Sequence, residues 1–180
     1  MGVIGCGHWG PNHVRNFAAH PSSEVVAIAD VEAKRLAAVR ALYPQVSAYQ
    51  DYQALLHRED IDAVVVATPT RTHVTVVTDG LAAGKHVLCE KPLCLSAGDG
   101  LTLVQMAAAH QRMLMVGHVF LFNSAVIKLK ELIDSGTLGE LHYLASVCRK
   151  RTAISATSKE ISPWQSDWRA SSSRCQCIRS

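Results

Sequence analysis

Met1-Gly2-Val3-Ile4-Gly5-Cys6-Gly7-His8-Trp9-Gly10, read together with Asp30, sets how the rest of the chain is understood. The apolar run Met1–Ile4 flows straight into a G-x-G-x-x-G, and a helix-compatible segment follows. A second apolar run, Val25-Val26-Ala27-Ile28-Ala29, ends in Asp30. Strand, glycine turn, helix, strand and acid is the order of a dinucleotide-binding βαβ unit. Gly5 allows the tight turn out of the strand. Gly7 lets the backbone approach a pyrophosphate, and Gly10 lets the helix pack against the sheet. The first helical turn then offers unpaired N–H groups and a positive dipole end to phosphate. Asp30 lies 20 residues beyond Gly10, where a carboxylate accepts hydrogen bonds from ribose hydroxyls and repels a 2′-phosphate. At about 4 Å and an effective dielectric near 20, two like charges repel by roughly 4 kcal/mol. The expected cofactor is therefore NAD, with NADP disfavoured and Arg35 close enough in sequence to soften the preference.

The same alternation continues down the chain. Pro11 falls at the start of the first helix, which carries Val14, Phe17 and Ala18 at helical spacing and stops before Pro21. Val31–Leu42 reads as a second helix with Leu36, Val39 and Ala41 available for packing. Val46–Tyr49 is a short strand, and Asp51 caps a short helix through Leu56. Ala63–Ala67 is apolar without alternation, the pattern of a strand buried on both faces of a parallel sheet. It runs into Thr68-Pro69-Thr70-Arg71-Thr72-His73, and a helix is expected from Val74 to Ala83. His86–Cys89 is a strand leading into Glu90-Lys91-Pro92. Ser96 caps a helix through His110, Met113–Val116 is a strand ending at Gly117-His118, and Asn123–Ser135 is a helix. Gly136 and Gly139 bracket a turn, and Leu141–Val147 begins a new strand.

This predicts an α/β, doubly wound parallel sheet of Rossmann type, followed by only the first strand of a second, α+β domain. The expected divisions are residues 1–122 for nucleotide binding, 123–150 for the start of a substrate and oligomerisation domain, and 151–180 for an irregular tail. Eight of those last 30 residues are Ser, and apolar periodicity disappears there. The change at Arg151 reads either as a disordered tail or as a truncation or frame accident replacing an authentic continuation. The net charge of +3 is too small and scattered to favour nucleic acid or an acidic membrane. No apolar run approaches the roughly 20 residues that span a bilayer, and no signal peptide is evident, so the expected compartment is the cytoplasm. Of six cysteines, Cys6, Cys89 and Cys148 lie beside or within apolar runs, where a thiol acts as a small hydrophobe. Cys175 and Cys177 form the one close pair, with no His nearby, and no metal site is expected.

The residues that break the apolar pattern all fall after strands: Gly5–Gly10, Asp30, Thr68–His73, Glu90–Pro92 and Gly117–Asn123. In open α/β sheets that edge is where ligands bind. Together these motifs resemble the Gfo/Idh/MocA oxidoreductase family, the group of glucose–fructose oxidoreductase and inositol dehydrogenase. The matching stretches are Gly5–Gly10, Ala67-Thr68-Pro69 with His73, Ala83–Val87, Glu90-Lys91-Pro92 and Gly117-His118, and the likeness covers about residues 1–150. Trp9–Asn12, Phe120–Asn123 and Leu132–Gly136 are further similar to the branch that oxidises the 3-hydroxyl of nucleotide-linked amino sugars.

The resemblance implies hydride transfer between NAD(P) and a hydroxyl of a sugar or sugar nucleotide. Lys91 would be the catalytic residue, hydrogen-bonded to the reacting oxygen. It implies cofactor contacts from Gly5, Gly7, His8, Trp9, Gly10, Asp30, Thr68, Pro69, His73, Glu90, Lys91 and Asn123, with Glu90 fixing the lysine. Read without the resemblance, Lys91 is a solvated surface lysine, His73 and His118 are structural hydrogen-bond donors, and Asn123 is a helix cap. Full family members carry a second domain, commonly with an Asp-x-x-x-His pair, and homo-oligomers assemble through it. These 180 residues contain no Asp-x-x-x-His. An NAD-binding module or inactive fragment without turnover is therefore the alternative to an enzyme.

Overall fold

The computed structural model describes residues 1–142. The strand expected from Leu141 to Val147 lies outside them except for its first two residues, as do the Ser-rich stretch, Cys148, Cys175 and Cys177. The chain divides into two compact parts, Met1–Phe122 and a part beginning at Asn123.

In the first part, six short strands form one parallel sheet: β1 (Gly2–Ile4), β2 (Ala27–Ala29), β3 (Ser47–Tyr49), β4 (Ala63–Val66), β5 (His86–Cys89) and β6 (Leu114–Val116). Their order is β3-β2-β1-β4-β5-β6. The helices are α1 (Gly10–Ala18), α2 (Ala33–Leu42), α3 (Tyr52–Leu56), α4 (Thr70–Ala82) and α5 (Ala97–Ala109). Neighbouring strands are in direct register, with Val3 opposite both Ile28 and Val65. Because side chains alternate across a strand, each strand feeds two cores. Val3, Ile28, Val65 and Leu88 pack on one face with Val14 of α1 and Leu36 and Val39 of α2. Ile4, Ala29, Val64, Val66, Val87 and Cys89 pack on the other with Leu55 and Leu56 of α3, Val76, Val77 and Leu81 of α4, and Leu103 of α5. Val64, Val65 and Val66 are each 0% exposed. Full burial of such a side chain contributes about 1.5–3 kcal/mol. A run without alternation is thus what two covered faces require.

Three expectations are corrected. The helix after β4 starts at Thr70, not Val74. Pro69 sets the extended entry, and the Thr72 hydroxyl donates to the Pro69 carbonyl at 2.8 Å, so the helix begins directly after the proline. His73 therefore belongs to the helix. The second helix starts at Ala33, not Val31, because the Asp30 carboxylate accepts the Glu32 N–H at 2.8 Å and holds residues 31 and 32 outside it. Ala41 is exposed: the buried stripe of α2 runs through Leu36 and Val39, and Ala41 lies off it. The cap at Asp51 forms as expected, its Oδ1 accepting the Gln53 N–H.

In the second part, α6 (Ser124–Asp134) is followed by a turn with positive φ at Gly136 and Gly139. Lys128–Glu131 and Lys130–Asp134 ion pairs line its solvent side. No helix among the described residues is long and apolar enough to cross a membrane.

Candidate functional site

The glycine turn closes on itself. Gly5 leaves β1 at φ +95°, and its N–H donates to the Ala29 carbonyl at 2.7 Å. A Cβ on Gly5 would lie 2.7 Å from the Ala67 carbonyl, and one on Gly10 would lie 1.9 Å from the Gly5 oxygen. Gly10 thus seals helix α1 against the turn's own backbone. Gly7 faces open space, its nearest neighbour being an Arg35 guanidinium nitrogen 3.8 Å from a built Cβ. The N–H groups of Gly7 and His8 have no partner among the described residues, and no side chain caps α1. Helix N-termini with free N–H groups attract phosphate, so a pyrophosphate fits this cradle. His8 and Trp9 are exposed beside it, their rings edge to face at 5.3 Å.

Asp30, only 8% exposed, is bonded into the turn. Its Oδ2 accepts the Cys6 N–H at 2.7 Å while Oδ1 takes Glu32. Each oxygen keeps a second lone pair for a ribose hydroxyl. Arg35 stands at the mouth, one guanidinium nitrogen 3.6 Å from Asp30 and the other 2.7 Å from Glu32. Burial, reinforced by the Asp30 charge, pushes the Cys6 thiol up to about 12, so it stays protonated. Burial and the Glu90 charge do the same to Cys89.

At the end of β4, Thr68 is half-buried and its hydroxyl accepts from Thr72, while Pro69 is exposed. His73, 1% exposed, reaches from α4 to both neighbouring loops. Its Nε2 faces the Thr68 carbonyl at 2.8 Å and its Nδ1 the Pro92 carbonyl at 2.9 Å. Neither nitrogen is left for a ligand, so His73 ties the loops after β4 and β5 together. Glu90 does not reach the lysine ammonium. Its Oε1 lies 2.8 Å from His13 Nε2 on α1, and its Oε2 accepts the Lys91 backbone N–H at 3.3 Å. Lys91, before a cis peptide to Pro92, is exposed. Its ammonium has no ion-pair partner among the described residues. His118 is exposed after β6. Asn123 belongs to the second part, where its Oδ1 accepts the Ala125 and Val126 N–H groups and caps α6. No group of three or more His, Cys, Asp or Glu able to hold a metal occurs among the described residues.

His13 is the residue that reading the sequence missed. Its partner is 77 positions away, and nothing local in the sequence announces the pair. The parallel sheet thus gathers on one edge a phosphate cradle, an acid, two carbonyl-lined loops and an unpaired ammonium.

Known proteins resemble this chain in sequence and in fold. Inositol 2-dehydrogenase of Salmonella typhimurium is 32% identical over 154 residues, covering 81% of this chain and 46% of that protein. Scyllo-inositol dehydrogenase from Lactobacillus casei, solved with NAD(H) and scyllo-inositol, superposes with a TM-score of 0.71 at 27% identity, covering 77% of this chain and 42% of that one. A 3-ketoreductase from Actinomadura kijaniata, solved with TDP-benzene and NADP, gives 0.72 at 32% identity, covering 77% and 44%. The chain therefore spans less than half the length of these relatives. Residues 1–118 match the model of the Gfo/Idh/MocA oxidoreductase family with its NAD-binding Rossmann fold, and the chain belongs to that family.

Proposed function

We propose that residues 1–122 are the nucleotide-binding domain of an NAD-dependent oxidoreductase acting on a hydroxyl of a cyclic polyol, sugar or sugar nucleotide, and that residues 123–150 lead into the domain that completes its substrate site. Bound at the Gly5–Gly10 turn, a nicotinamide dinucleotide supplies the hydride acceptor or donor. Gly7, His8 and the start of α1 bind its pyrophosphate, with Trp9 beside them. Asp30 accepts the adenosine ribose hydroxyls, and Thr68 and Pro69 cover the cofactor. Lys91 donates a hydrogen bond to the reacting oxygen and stabilises negative charge there as hydride moves. One observation carries this reading: Lys91 emerges from a buried strand with its ammonium unpaired, on the same sheet edge as the cradle and Asp30.

The preference for NAD rests on the buried Asp30 carboxylate, which a 2′-phosphate would approach at the cost of like-charge repulsion. The relatives solved with NAD(H) and with NADP show that the fold admits both. Calorimetric titration with NAD+ and NADP+ tests the reading. NAD+ is expected to bind more tightly, and Asp30→Ala to narrow the gap by about tenfold or more, one lost ion repulsion being worth at least about 1.4 kcal/mol. An unchanged ratio removes Asp30 from discrimination, and no binding of either by the folded chain overturns the proposal.

A further inference from the structure

Glu90 and Lys91 are neighbours in the chain, and both lie where β5 ends. A Glu90 carboxylate that turned to the Lys91 ammonium would occupy the group that the proposed function needs free. In the structure they do not pair. The Glu90 side chain is only 12% exposed and is held from the far side: His13 Nε2 takes Oε1 at 2.8 Å, and Oε2 turns to the Lys91 backbone N–H. Oε2 also lies 3.5 Å from where a Cβ on Gly117 would stand, an ordinary van der Waals distance.

His13 is itself set in place. It stacks on Phe17 one turn along α1, ring centroids 6.3 Å apart at 22°. Helix α1 follows the phosphate cradle, and β1 is separated from β5 by β4. The His13–Glu90 contact therefore spans two strand spacings, roughly 10 Å, along the carboxyl edge. It joins the helix that would hold phosphate to the residue beside the reacting lysine. The other titratable groups on or beside these elements are Cys6 and His8 before α1, Arg15 in α1, His86 and Cys89 in β5, Lys91 after β5 and His118 after β6.

We propose that His13 is a positioning residue: it anchors the Glu90 carboxylate on the α1 side and so keeps the Lys91 ammonium out of an ion pair with its own neighbour. This rests on the reading of Lys91 as the group that meets the substrate oxygen. Competitive acetylation of the full chain at neutral pH, with the Lys91 peptide quantified by mass spectrometry, tests it without cofactor. His13→Phe keeps the stacked ring and removes the nitrogen. Glu90 then turns to Lys91, and labelling of Lys91 is expected to fall about three- to tenfold, because an opposite charge within about 4–6 Å favours the ammonium over the reactive amine. His13→Gln, which retains a donor, restores the rate. Adding Glu90→Gln to His13→Phe restores it as well, an effect that loss of packing alone does not produce. Equal Lys91 labelling in wild type, His13→Phe and His13→Gln overturns the inference, as does a fall that Glu90→Gln fails to rescue. Should His13→Phe not fold, His13→Ala with and without Glu90→Gln gives the same comparison. NAD+ titrations of the same samples judge the nucleotide site separately, so failure of one idea is not mistaken for failure of the other.

Discussion

Two lysines bracket β5, and they meet opposite surroundings. Lys85, just before the strand, is 8% exposed, and its ammonium donates to the Arg58 carbonyl at 2.7 Å. Lys91, just after it, is exposed and has no side-chain partner among the described residues. The chemistry of the side chain is the same; the end of the sheet is not. At the amino end, a buried ammonium persists because a carbonyl satisfies it. At the carboxyl end, β1 and β4 are neighbours whose onward connections lead to opposite sides of the sheet, the topology that in open α/β sheets places ligands outside the strand ends. A lysine at the first end stabilises the fold, and one at the second is available to a ligand.

The most severe way to break this contrast is Gly10→Val. With 1.9 Å between a Cβ and the Gly5 oxygen, the turn has to open, and NAD+ binding is expected to be lost, by about a hundredfold or more, a loss of at least ~2.7 kcal/mol. Calorimetry on protein checked for folding by circular dichroism measures this. Next comes Lys91→Ala. In this chain fused to the second domain of a full-length relative, hydride transfer followed by absorbance is expected to fall at least about a hundredfold, the scale of losing one transition-state donor. Its melting temperature should stay within about 1 °C, since surface substitutions are nearly neutral. Lys85→Met should do the reverse. Leaving the Arg58 carbonyl unsatisfied costs about 1–3 kcal/mol in urea unfolding, while NAD+ affinity stays as in wild type.

The smallest effect is read by pH and concerns the carboxyl end alone. Cys6 and Cys89 sit where β1 and β5 finish, and both thiols are pushed up to about 12 in the folded chain. Above about pH 8.5 the unfolded chain loses these protons while the folded chain keeps them. The unfolded state then binds fewer protons, so stability is full below that pH and falls as pH rises toward the folded value. Each thiol contributes at most about 1.4 kcal/mol per pH unit in that window. Cys89→Ala should flatten the decline in urea midpoint between pH 9 and 10.5, even though its midpoint at pH 8 is lower. An unchanged slope would mean that Cys89 ionises as readily in the folded chain as in the unfolded one.

Much of this was legible because it is local. The apolar runs gave the strands, since a parallel sheet covered on both faces leaves little room for polar residues between its helices. The caps at Asp51, Ser96 and Asn123 could be read because each accepts from a backbone N–H two or three residues onward. The glycine turn was readable for the same reason, although the atom that demands Gly10 is the Gly5 carbonyl rather than a strand side chain. What escaped was long-range or depended on competition. His13 and Glu90 meet only once three strands are aligned. His73 had two plausible uses until both ring nitrogens were seen facing carbonyls. The start of α4 turned on a threonine hydroxyl satisfying Pro69, which weighs little in a pattern of apolar spacing.

Asp30 carries one more consequence. The carboxylate proposed to read the ribose also fastens the Cys6 N–H, so it is part of the turn it serves. A descendant that replaced Asp30 to accept a different dinucleotide would slacken its own phosphate cradle in the same step. Glu32 and Arg35, about half exposed and bonded to each other, carry no such obligation. Drift in cofactor choice within this lineage is therefore expected to begin at the start of α2 and to reach Asp30 last.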